Sequence, residues 1–244
     1  MGLKELYRRR LIVGTVINPP SPTGDYVPFI ISHWKYNGNA LDSIGNNHGV
    51  ATSVTYPIVN GIQMADFSAF TSAGIEIPDA ANLSFGNGTS DVDFSLDFIL
   101  YFNTINNCWM VNKRNDSGAN MEYNFHYYSN YFQFALIDSS NSAYRYKNYT
   151  FTPSIGVIYH FGFTYISEIL RIYKNGVDVG GTQLEAGTYV AMENLSEPLR
   201  VGKSNKETSS LNGKIGVQTF WNKGLTPSEM LDVATKKLNG TPIF

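Results

Sequence analysis

Residues 211–229 contain a turn, a strand, a second turn and the start of a helix in direct succession. The dipeptide Asn212-Gly213 predicts a tight turn, because both residue types tolerate a positive φ angle. The residues that follow alternate in character, as in a strand with two different faces. One predicted face carries Ile215, Val217, Thr219 and Trp221, and the other carries Lys214, Gln218 and Phe220.

A helix is predicted over residues 227–238, and residues 1–13 could form a short basic helix against a partner surface. Thr226 and Glu229 have the spacing of a capping box, and Pro227 occupies the first helical position. Asn239-Gly240 follows the helix and predicts its end. From Phe29 onward the rest of the chain is predicted to form strands separated by turns. Aromatic residues make up 14% of the sequence and charged residues only 16%, a balance that indicates extensive buried sheet.

Residues 121–137 predict a β-hairpin with two unlike faces. A two-residue turn at Ser129-Asn130 places Tyr128 opposite Tyr131 and Phe125 opposite Phe134. The face predicted to be core carries Tyr123, Phe125, Tyr127, Phe132, Phe134 and Leu136. The face predicted to be in water carries Glu122, Asn124, His126, Tyr128, Tyr131 and Gln133.

Several segments, in this order along the chain, resemble the laminin-G-like domains of the concanavalin A-like lectin and glucanase group. Besides residues 211–229, they are residues 33–49, 75–79, 93–98, 170–177 and 198–202. The resemblance covers about residues 30–240. It implies an all-β fold, an antiparallel two-sheet jelly-roll sandwich with a short C-terminal helix. It also implies a scaffold that mostly binds ligands and only in some members catalyses a reaction.

The predicted domain organisation is an N-terminal docking arm with a Pro-rich linker, residues 1–28, followed by one jelly-roll domain, residues 29–244. Prolines within residues 18–28 favour an extended linker. Before it, residues 1–10 hold four basic side chains against Glu5, a local charge of +3. An acidic groove on a partner protein is the expected docking surface. The predicted docking residues are Leu3, Lys4, Leu6, Tyr7, Arg8, Arg9 and Arg10.

The net charge of −2 gives no reason to expect nucleic acid or an anionic membrane as the main partner. Cys108 is the only cysteine, so the fold cannot depend on a disulfide within the chain. The apolar run at residues 11–17 lacks a small-residue cleavage site, and we expect it to be retained. Whether the chain forms a homo-oligomer is left open by the sequence.

Enzymatic glycoside hydrolysis is not expected. It requires two carboxylates roughly 5 to 10 Å apart, and the Glu-x-Asp-x-x-Glu string of the group's glucanases does not occur here. Asp93 and Asp97 share one strand face, but four strand residues separate them by roughly 13 Å. We predict that this face is solvated and that the protein is not an enzyme.

The resemblance implies a candidate calcium site. Relatives often hold an ion in the loop whose oxygen-bearing side chains here are Asn39, Asp42, Asn46 and Asn47. Many relatives add an aspartate where this chain has Gly216. The alternative is that Asp42 and Asn46 cap turns without metal.

A carbohydrate site is predicted on the solvent-exposed face of the hairpin. Its candidate residues are Asn124, His126, Tyr128, Tyr131 and Gln133, with Trp109, Tyr144 and Arg145 expected nearby. Aromatic faces stack on sugar C–H groups, and amides bind hydroxyls. The alternative is that tyrosines occur here because they are good strand formers.

An arm, a linker and a lectin-like domain without catalytic residues together resemble bacteriophage virion proteins. The prediction is therefore a non-enzymatic virion surface protein: a capsid decoration protein, a head fibre or a tail appendage. It would be assembled in the host cytoplasm, with a capsid or tail protein bound to the arm and a glycan bound to the domain. The alternative is a free-standing bacterial carbohydrate-binding module, which a cleavable signal would indicate.

Overall fold

The computed structural model describes residues 26–68, 73–115, 120–204 and 210–244, so the predicted docking residues lie outside the described part. The strands are β1 (Ile30–Trp34), β2 (Val50–Thr52), β3 (Ile58–Val59), β4 (Ile62–Asp66), β5 (Gly74–Ile77), β6 (Phe94–Phe102), β7 (Cys108–Arg114), β8 (Met121–Tyr128), β9 (Tyr131–Asp138), β10 (Ala143–Thr150), β11 (Ile158–Ile166), β12 (Ile169–Lys174), β13 (Val177–Asp178), β14 (Gln183–Ala186), β15 (Leu199–Val201) and β16 (Gly213–Trp221). One α-helix, α1, spans Pro227–Leu238, and short 3₁₀ turns span Val27–Phe29 and Ala81–Leu83.

The strands form two antiparallel eight-stranded sheets. Sheet A has the order β13-β12-β11-β6-β16-β4-β3, with β1 also paired to β16. Sheet B has the order β14-β10-β9-β8-β7-β15-β5-β2. The predicted all-β, two-sheet architecture with a C-terminal helix is confirmed. In the described part of the chain, no helix is long and apolar enough to cross a membrane.

Aromatic rings from both sheets fill the space between them. Phe125 of sheet B lies 4.1 Å from Phe163 and 5.3 Å from Phe98 of sheet A, measured between ring centroids. Its ring also stacks on that of Phe132 in the next strand of sheet B. The hairpin register is confirmed, with Phe125 opposite Phe134 and Tyr128 opposite Tyr131. Every residue predicted for the core face of the hairpin is buried.

The predicted alternation along β16 is wrong after Gly216. The register between β16 and β6 shifts between Gly216 and Thr219, which is a β-bulge. Ile215 and Phe220 consequently both belong to the core between the sheets. Trp221 instead belongs to a second apolar cluster with residues of α1.

Helix α1 covers part of the outer face of sheet A. The capping box is present: Thr226 N–H donates to Glu229 Oε2 at 2.8 Å, and Glu229 N–H donates to Thr226 Oγ1 at 3.3 Å. Met230 of the helix packs over Gly162 of β11, where an added Cβ would lie only 2.3 Å from the Met230 sulfur. The glycine therefore sets how closely the helix approaches the sheet.

A buried polar network lies beneath α1. Lys237 Nζ donates to Asp97 Oδ1 and to Thr219 Oγ1, both at 2.7 Å. His160 Nε2 lies 2.7 Å from the other oxygen of Asp97. The prediction that Asp97 lies on a solvated face is therefore wrong, because the helix covers it and supplies its cation. The Lys237 and His160 partners hold the pKa of Asp97 below its usual value despite the opposing effect of burial.

The packed structure extends further towards the N-terminus than the predicted start at Phe29. Tyr26 is only 3% exposed and packs in the cluster beneath α1. Its hydroxyl donates to Asp232 Oδ2 of the helix at 2.6 Å. At least Tyr26 and Val27, assigned to the linker from sequence, are therefore part of the domain.

Replacement of Tyr26 should test this boundary. Tyr26→Ala is expected to lower the free energy of unfolding by about 3 kcal/mol, as deletion of a buried aromatic side chain does. Tyr26→Phe, which keeps the ring and loses the hydrogen bond, should cost about 1 kcal/mol. The matched control is Tyr7→Ala in the arm, which should leave the urea unfolding curve unchanged. Equal unfolding free energies for Tyr26→Ala and wild type would mean that the domain starts at Phe29, as predicted from the sequence.

Candidate functional site

A row of ring side chains crosses the outer face of sheet B. Trp109 of β7 lies directly opposite His126 of β8, with 4.6 Å between ring centroids. His126 lies 6.5 Å from Tyr131 of β9, and Tyr131 lies 6.1 Å from Tyr128. We name these four residues the aromatic strip. Tyr128 is the most open, at 49% exposure, and the other three are partly exposed.

Two amides lie beside the aromatic strip. Gln133 of β9 is opposite Asn148 of β10, and Gln133 Nε2 donates to Asn148 Oδ1 at 2.9 Å. This bond leaves the Gln133 oxygen as an acceptor and the Asn148 NH₂ group as a donor. Both side chains are partly exposed. The pair therefore offers an acceptor oxygen, from Gln133, and an NH₂ donor group, from Asn148, to a ligand that lies on the strip.

Asn148 was missed by the sequence reasoning, although a signal was available. Tyr144, Tyr146 and Asn148 alternate along β10 with Arg145 and Lys147. The pairing places the first set on the outer face, because Asn148 is opposite Gln133. Applied to residues 143–150, the alternation would have added Asn148 to the candidate site.

One end of the hairpin face that was predicted to be solvent-exposed is buried. Asn124 is only 3% exposed, and Glu122 is fully buried. Glu122 forms a buried ion pair with Lys113, and the backbone of Leu195 bonds to both side chains. Asn124 was predicted to bind sugar, and this prediction is wrong. Its side chain is buried, so no ligand can reach it without rearrangement.

Asn124 orients the imidazole of His126. His126 Nδ1 lies 3.0 Å from Asn124 Oδ1, and an amide oxygen only accepts, so Nδ1 carries the hydrogen. Burial, reinforced by the nearby Arg114 cation, lowers the pKa of His126 to about 4. The imidazole is therefore uncharged at neutral pH and acts in the strip as a polar ring.

Of the residues expected nearby, Trp109 belongs to the aromatic strip, whereas Arg145 does not. The Arg114 guanidinium lies 4.5 Å from the Trp109 ring. Arg145 is buried on the opposite side of β10, where it donates to Glu185 at 2.7 Å and to Tyr165 at 2.9 Å. The prediction that Arg145 adjoins the sugar face is wrong, because strand alternation turns its side chain inward.

The carboxylate of the candidate calcium loop is occupied by backbone donors. Asp42 Oδ1 accepts from the N–H groups of His33, Ile44 and Gly45 at 2.9 to 3.1 Å. Asp42 Oδ2 accepts from the N–H of Asn47 at 3.2 Å. These bonds have the pattern of a side chain that caps a turn.

The three asparagines of the loop do not complete a cation cage around Asp42. Asn47 is buried and donates to Ser32 Oγ at 2.6 Å, and Asn39 Oδ1 accepts from the N–H of Leu41 at 3.0 Å. Asn46 is exposed. Over the described ranges, no group of three or more His, Cys, Asp and Glu side chains could hold a metal ion. Calcium prefers several free oxygen ligands, whereas both Asp42 oxygens and Asn39 Oδ1 already accept hydrogen bonds, and we therefore favour capped turns without metal.

Calcium remains testable by chelation. We expect EDTA to leave the melting temperature of the protein unchanged. Asp42→Ala should lower the free energy of unfolding by about 2 kcal/mol or more, because it leaves four backbone N–H groups without their acceptor. If calcium occupies the loop, EDTA will lower the melting temperature and Asp42→Ala will abolish that effect.

Solved structures with the same fold share little sequence with the chain. Domain 4 of AbnA, a GH43 extracellular arabinanase from Geobacillus stearothermophilus solved with arabinotriose, matches with a TM-score of 0.62 and 16% identity, over 84% of this chain and 98% of that chain. The binding domain of Paraclostridial Mosquitocidal Protein 1 matches with a TM-score of 0.68 and 12% identity, over 87% of this chain and 53% of that chain. A botulinum neurotoxin type C structure matches with a TM-score of 0.66 and 13% identity, over 87% of this chain and 52% of that chain. The chain thus spans about half the length of the two toxin structures, and identities this low establish the fold alone.

Sequence comparison gives the family. No curated protein sequence matches the chain. The Laminin_G_3 family model, described as the concanavalin A-like lectin/glucanases superfamily, matches residues 69–230, which is more than half of the sequence. The chain therefore belongs to the Laminin_G_3 family of the concanavalin A-like lectin/glucanases superfamily.

Proposed function

We propose that the protein is a non-enzymatic carbohydrate-binding domain and that its sugar site is the aromatic strip with the Gln133–Asn148 pair. The observation that carries this proposal is the juxtaposition of exposed rings and partly unsatisfied amides on one sheet face. A sugar ring has an apolar C–H face, which stacks on aromatic rings, and a rim of hydroxyls, which amides bind. Tyr128 and Tyr131 supply the first kind of contact, and Gln133 and Asn148 supply the second.

Two structural relatives support a glycan rather than another ligand. The arabinanase domain was solved in complex with arabinotriose. Cell entry of botulinum neurotoxin type C depends on interaction with two ganglioside molecules. The match covers 98% of the arabinanase domain and 52% of the neurotoxin chain, so the arabinotriose complex is the main support for extending sugar binding to this chain.

The absence of catalysis is part of the proposal. A glycosidase needs two carboxylates that reach one scissile bond. Asp97 is buried beneath α1 and bonded to Lys237 and His160, so it cannot reach a substrate on the surface. Asp93 lies just before β6, four residues from Asp97, and accepts a hydrogen bond from the Ser167 N–H at 2.8 Å.

A multivalent glycan array tests the sugar site. Tyr131→Ala and Gln133→Ala should each weaken binding by about tenfold or more while the melting temperature changes little, since both side chains are partly exposed. A single domain should bind weakly, so a multivalent display is needed to detect the interaction. Phe29→Ala is the matched control, because Phe29 is a 41% exposed aromatic away from the strip.

Two outcomes would contradict the proposal. The first is a wild-type protein that binds no glycan even when displayed multivalently. The second is equal loss of binding in Phe29→Ala. Phe125→Ala serves as the folding reference, because removal of this core ring should cost about 3 kcal/mol or more and reduce binding only through unfolding.

We also propose that the domain is displayed on a bacteriophage virion, as a capsid decoration protein, head fibre or tail appendage. The basic residues 1–10 and the Pro-rich residues 18–25 that precede the packed domain support this setting. They provide a charged segment and a spacer through which the domain could be attached to a capsid or tail protein. The alternative is the free-standing bacterial carbohydrate-binding module.

Particle incorporation separates the two settings. The full chain should co-sediment with the virion, and a chain beginning at Tyr26 should melt like it yet stay in the supernatant. Incorporation of the shortened chain would contradict docking through the arm. Failure of both chains to co-sediment would favour the bacterial module.

A further inference from the structure

One lysine and two carboxyl groups meet at one end of sheet B. Lys113 of β7 and Glu122 of β8 are both fully buried, and they form a hydrogen-bonded ion pair. Asp79, two residues beyond the end of β5, contacts the same ammonium group, with 2.8 Å between Lys113 Nζ and Asp79 Oδ1. The Asp79 side chain is 32% exposed. A single amine nitrogen thus touches two carboxyl groups in unlike surroundings.

The backbone of Leu195 holds this group of side chains in place. Lys113 Nζ donates to Leu195 O at 2.7 Å, and the Leu195 N–H donates to Glu122 Oε1 at 2.9 Å. An ammonium group has three hydrogens, and Glu122, Asp79 and Leu195 accept all of them. The nitrogen is therefore held against the Asp79 carboxyl group, whose carbon lies one bond beyond Oδ1.

The other fully buried lysine–aspartate contact lacks this second carboxyl group. Lys237 Nζ lies 2.7 Å from Asp97 Oδ1, which is as close as the contact made by Lys113. Lys237 also donates to Thr219 Oγ1, and His160 Nε2 lies 2.7 Å from the second oxygen of Asp97. Hydroxyl and imidazole partners thus take the place that Glu122 has beside Lys113. The two sites therefore differ in the group that can carry a proton between the lysine and the aspartate.

Glu122 is suited to take a proton from Lys113. Burial raises the pKa of Glu122, although the Lys113 cation acts in the opposite direction. Transfer of a proton along the Lys113–Glu122 hydrogen bond removes two charges from a site that solvates them poorly. The transfer leaves a neutral amine, which is a nucleophile, in contact with Asp79.

We propose that Lys113 and Asp79 form an intramolecular isopeptide bond, with Glu122 as the proton carrier. Lys113 Nζ attacks Cγ of Asp79 while Glu122 returns its proton to an Asp79 oxygen. The C–N bond forms, one C–O bond of Asp79 breaks, and that oxygen leaves as water with two of the three ammonium hydrogens. Glu122 ends as it began, and no further reactant is needed. Groups held in contact react at effective concentrations on the order of 10⁵ M or more, which favours a condensation that free groups in water do not undergo.

The bond joins two strands that are not hydrogen-bonded to each other. In sheet B, β15 lies between β7, which carries Lys113, and β5, which leads to Asp79. Cys108 is the only cysteine in the sequence, so no disulfide within the chain can make such a link. The amide is therefore a covalent cross-link across sheet B. It does not depend on the sugar site or on the function proposed above.

Peptide mass spectrometry of the full-length protein tests the proposal. Trypsin cleaves after lysine and arginine, and residues 36–112 contain neither. Trypsin does not cleave after an acylated lysine. The wild-type protein should therefore yield residues 36–114 as one peptide, lighter than its sequence by one water molecule. Fragmentation of this peptide should place the link between Lys113 and Asp79.

Substitutions test the role of each group. Asp79→Asn should lose one ammonia molecule in place of water, because the amide nitrogen is then the leaving group. Asp79→Ala should restore cleavage after Lys113 at full mass. Glu122→Gln should slow formation of the link by about 100-fold or more, as loss of a general acid–base does. The matched control is Asp66→Ala, which removes the carboxylate of the ion pair with Lys214 and should leave the link in place.

Three results would overturn the proposal. They are a wild-type peptide of full mass that is cleaved after Lys113, a loss of water that maps to other residues, and an unchanged rate of link formation in Glu122→Gln. The dispersion of ¹H–¹⁵N NMR resonances verifies that each variant is folded. The wild-type measurement needs no substitution, so it decides the question even where a variant fails to fold.

Discussion

The contact between aromatic rings of the two sheets determines which residues this protein presents to its surroundings. Phe125 packs between rings of both sheets, and the period of two along a strand then turns His126 to the outside. A slip of one residue in β8 would exchange the two faces and place its polar side chains in the core. The same packing that stabilises the sandwich therefore creates the row of exposed rings on sheet B.

The two outer faces differ because helix α1 covers part of sheet A, whereas part of the outer face of sheet B is exposed. Helix α1 lies on sheet A, and Lys237 reaches the buried Asp97 from it. Breaking this pair would leave an uncompensated charge in the interior, which is strongly unfavourable. The helix is thus fixed in place on sheet A. The outer face of sheet B is buried around Glu122 and Asn124, but it is partly or fully exposed around Tyr128, Tyr131 and Gln133.

Local features of the fold were predictable from sequence, and features made by distant segments were not. The hairpin register follows from Ser129-Asn130, whose positive φ angles of 45° and 68° match a tight turn, and from the alternation around it. The burial of Glu122 depends on residue 195, far along the chain, and that of Asp97 depends on α1. The alternation of residues within a strand does not reveal which distant segment will cover it.

In the candidate site, too, local features were predictable and features that depend on packing were not. Tyr128, Tyr131 and Gln133 were predicted from alternation within one hairpin, and their partly or fully exposed positions agree with that prediction. The loss of Asn124 as a candidate could not be foreseen, because it depends on how closely neighbouring side chains pack around a central strand. The bulge in β16 was equally hidden, since an extra residue changes the pairing without changing the local composition.

The central claim is that sugar binds to the outer face of sheet B, and the position of a bound oligosaccharide tests it most directly. A glycan that binds the displayed protein can be located by ¹H–¹⁵N NMR or by a crystal structure of the complex. The account predicts contacts with Tyr128, Tyr131, Gln133 and Asn148, on strands β8 to β10. An oligosaccharide bound only at the loops that join the two sheets, with these four residues unaffected, would contradict it.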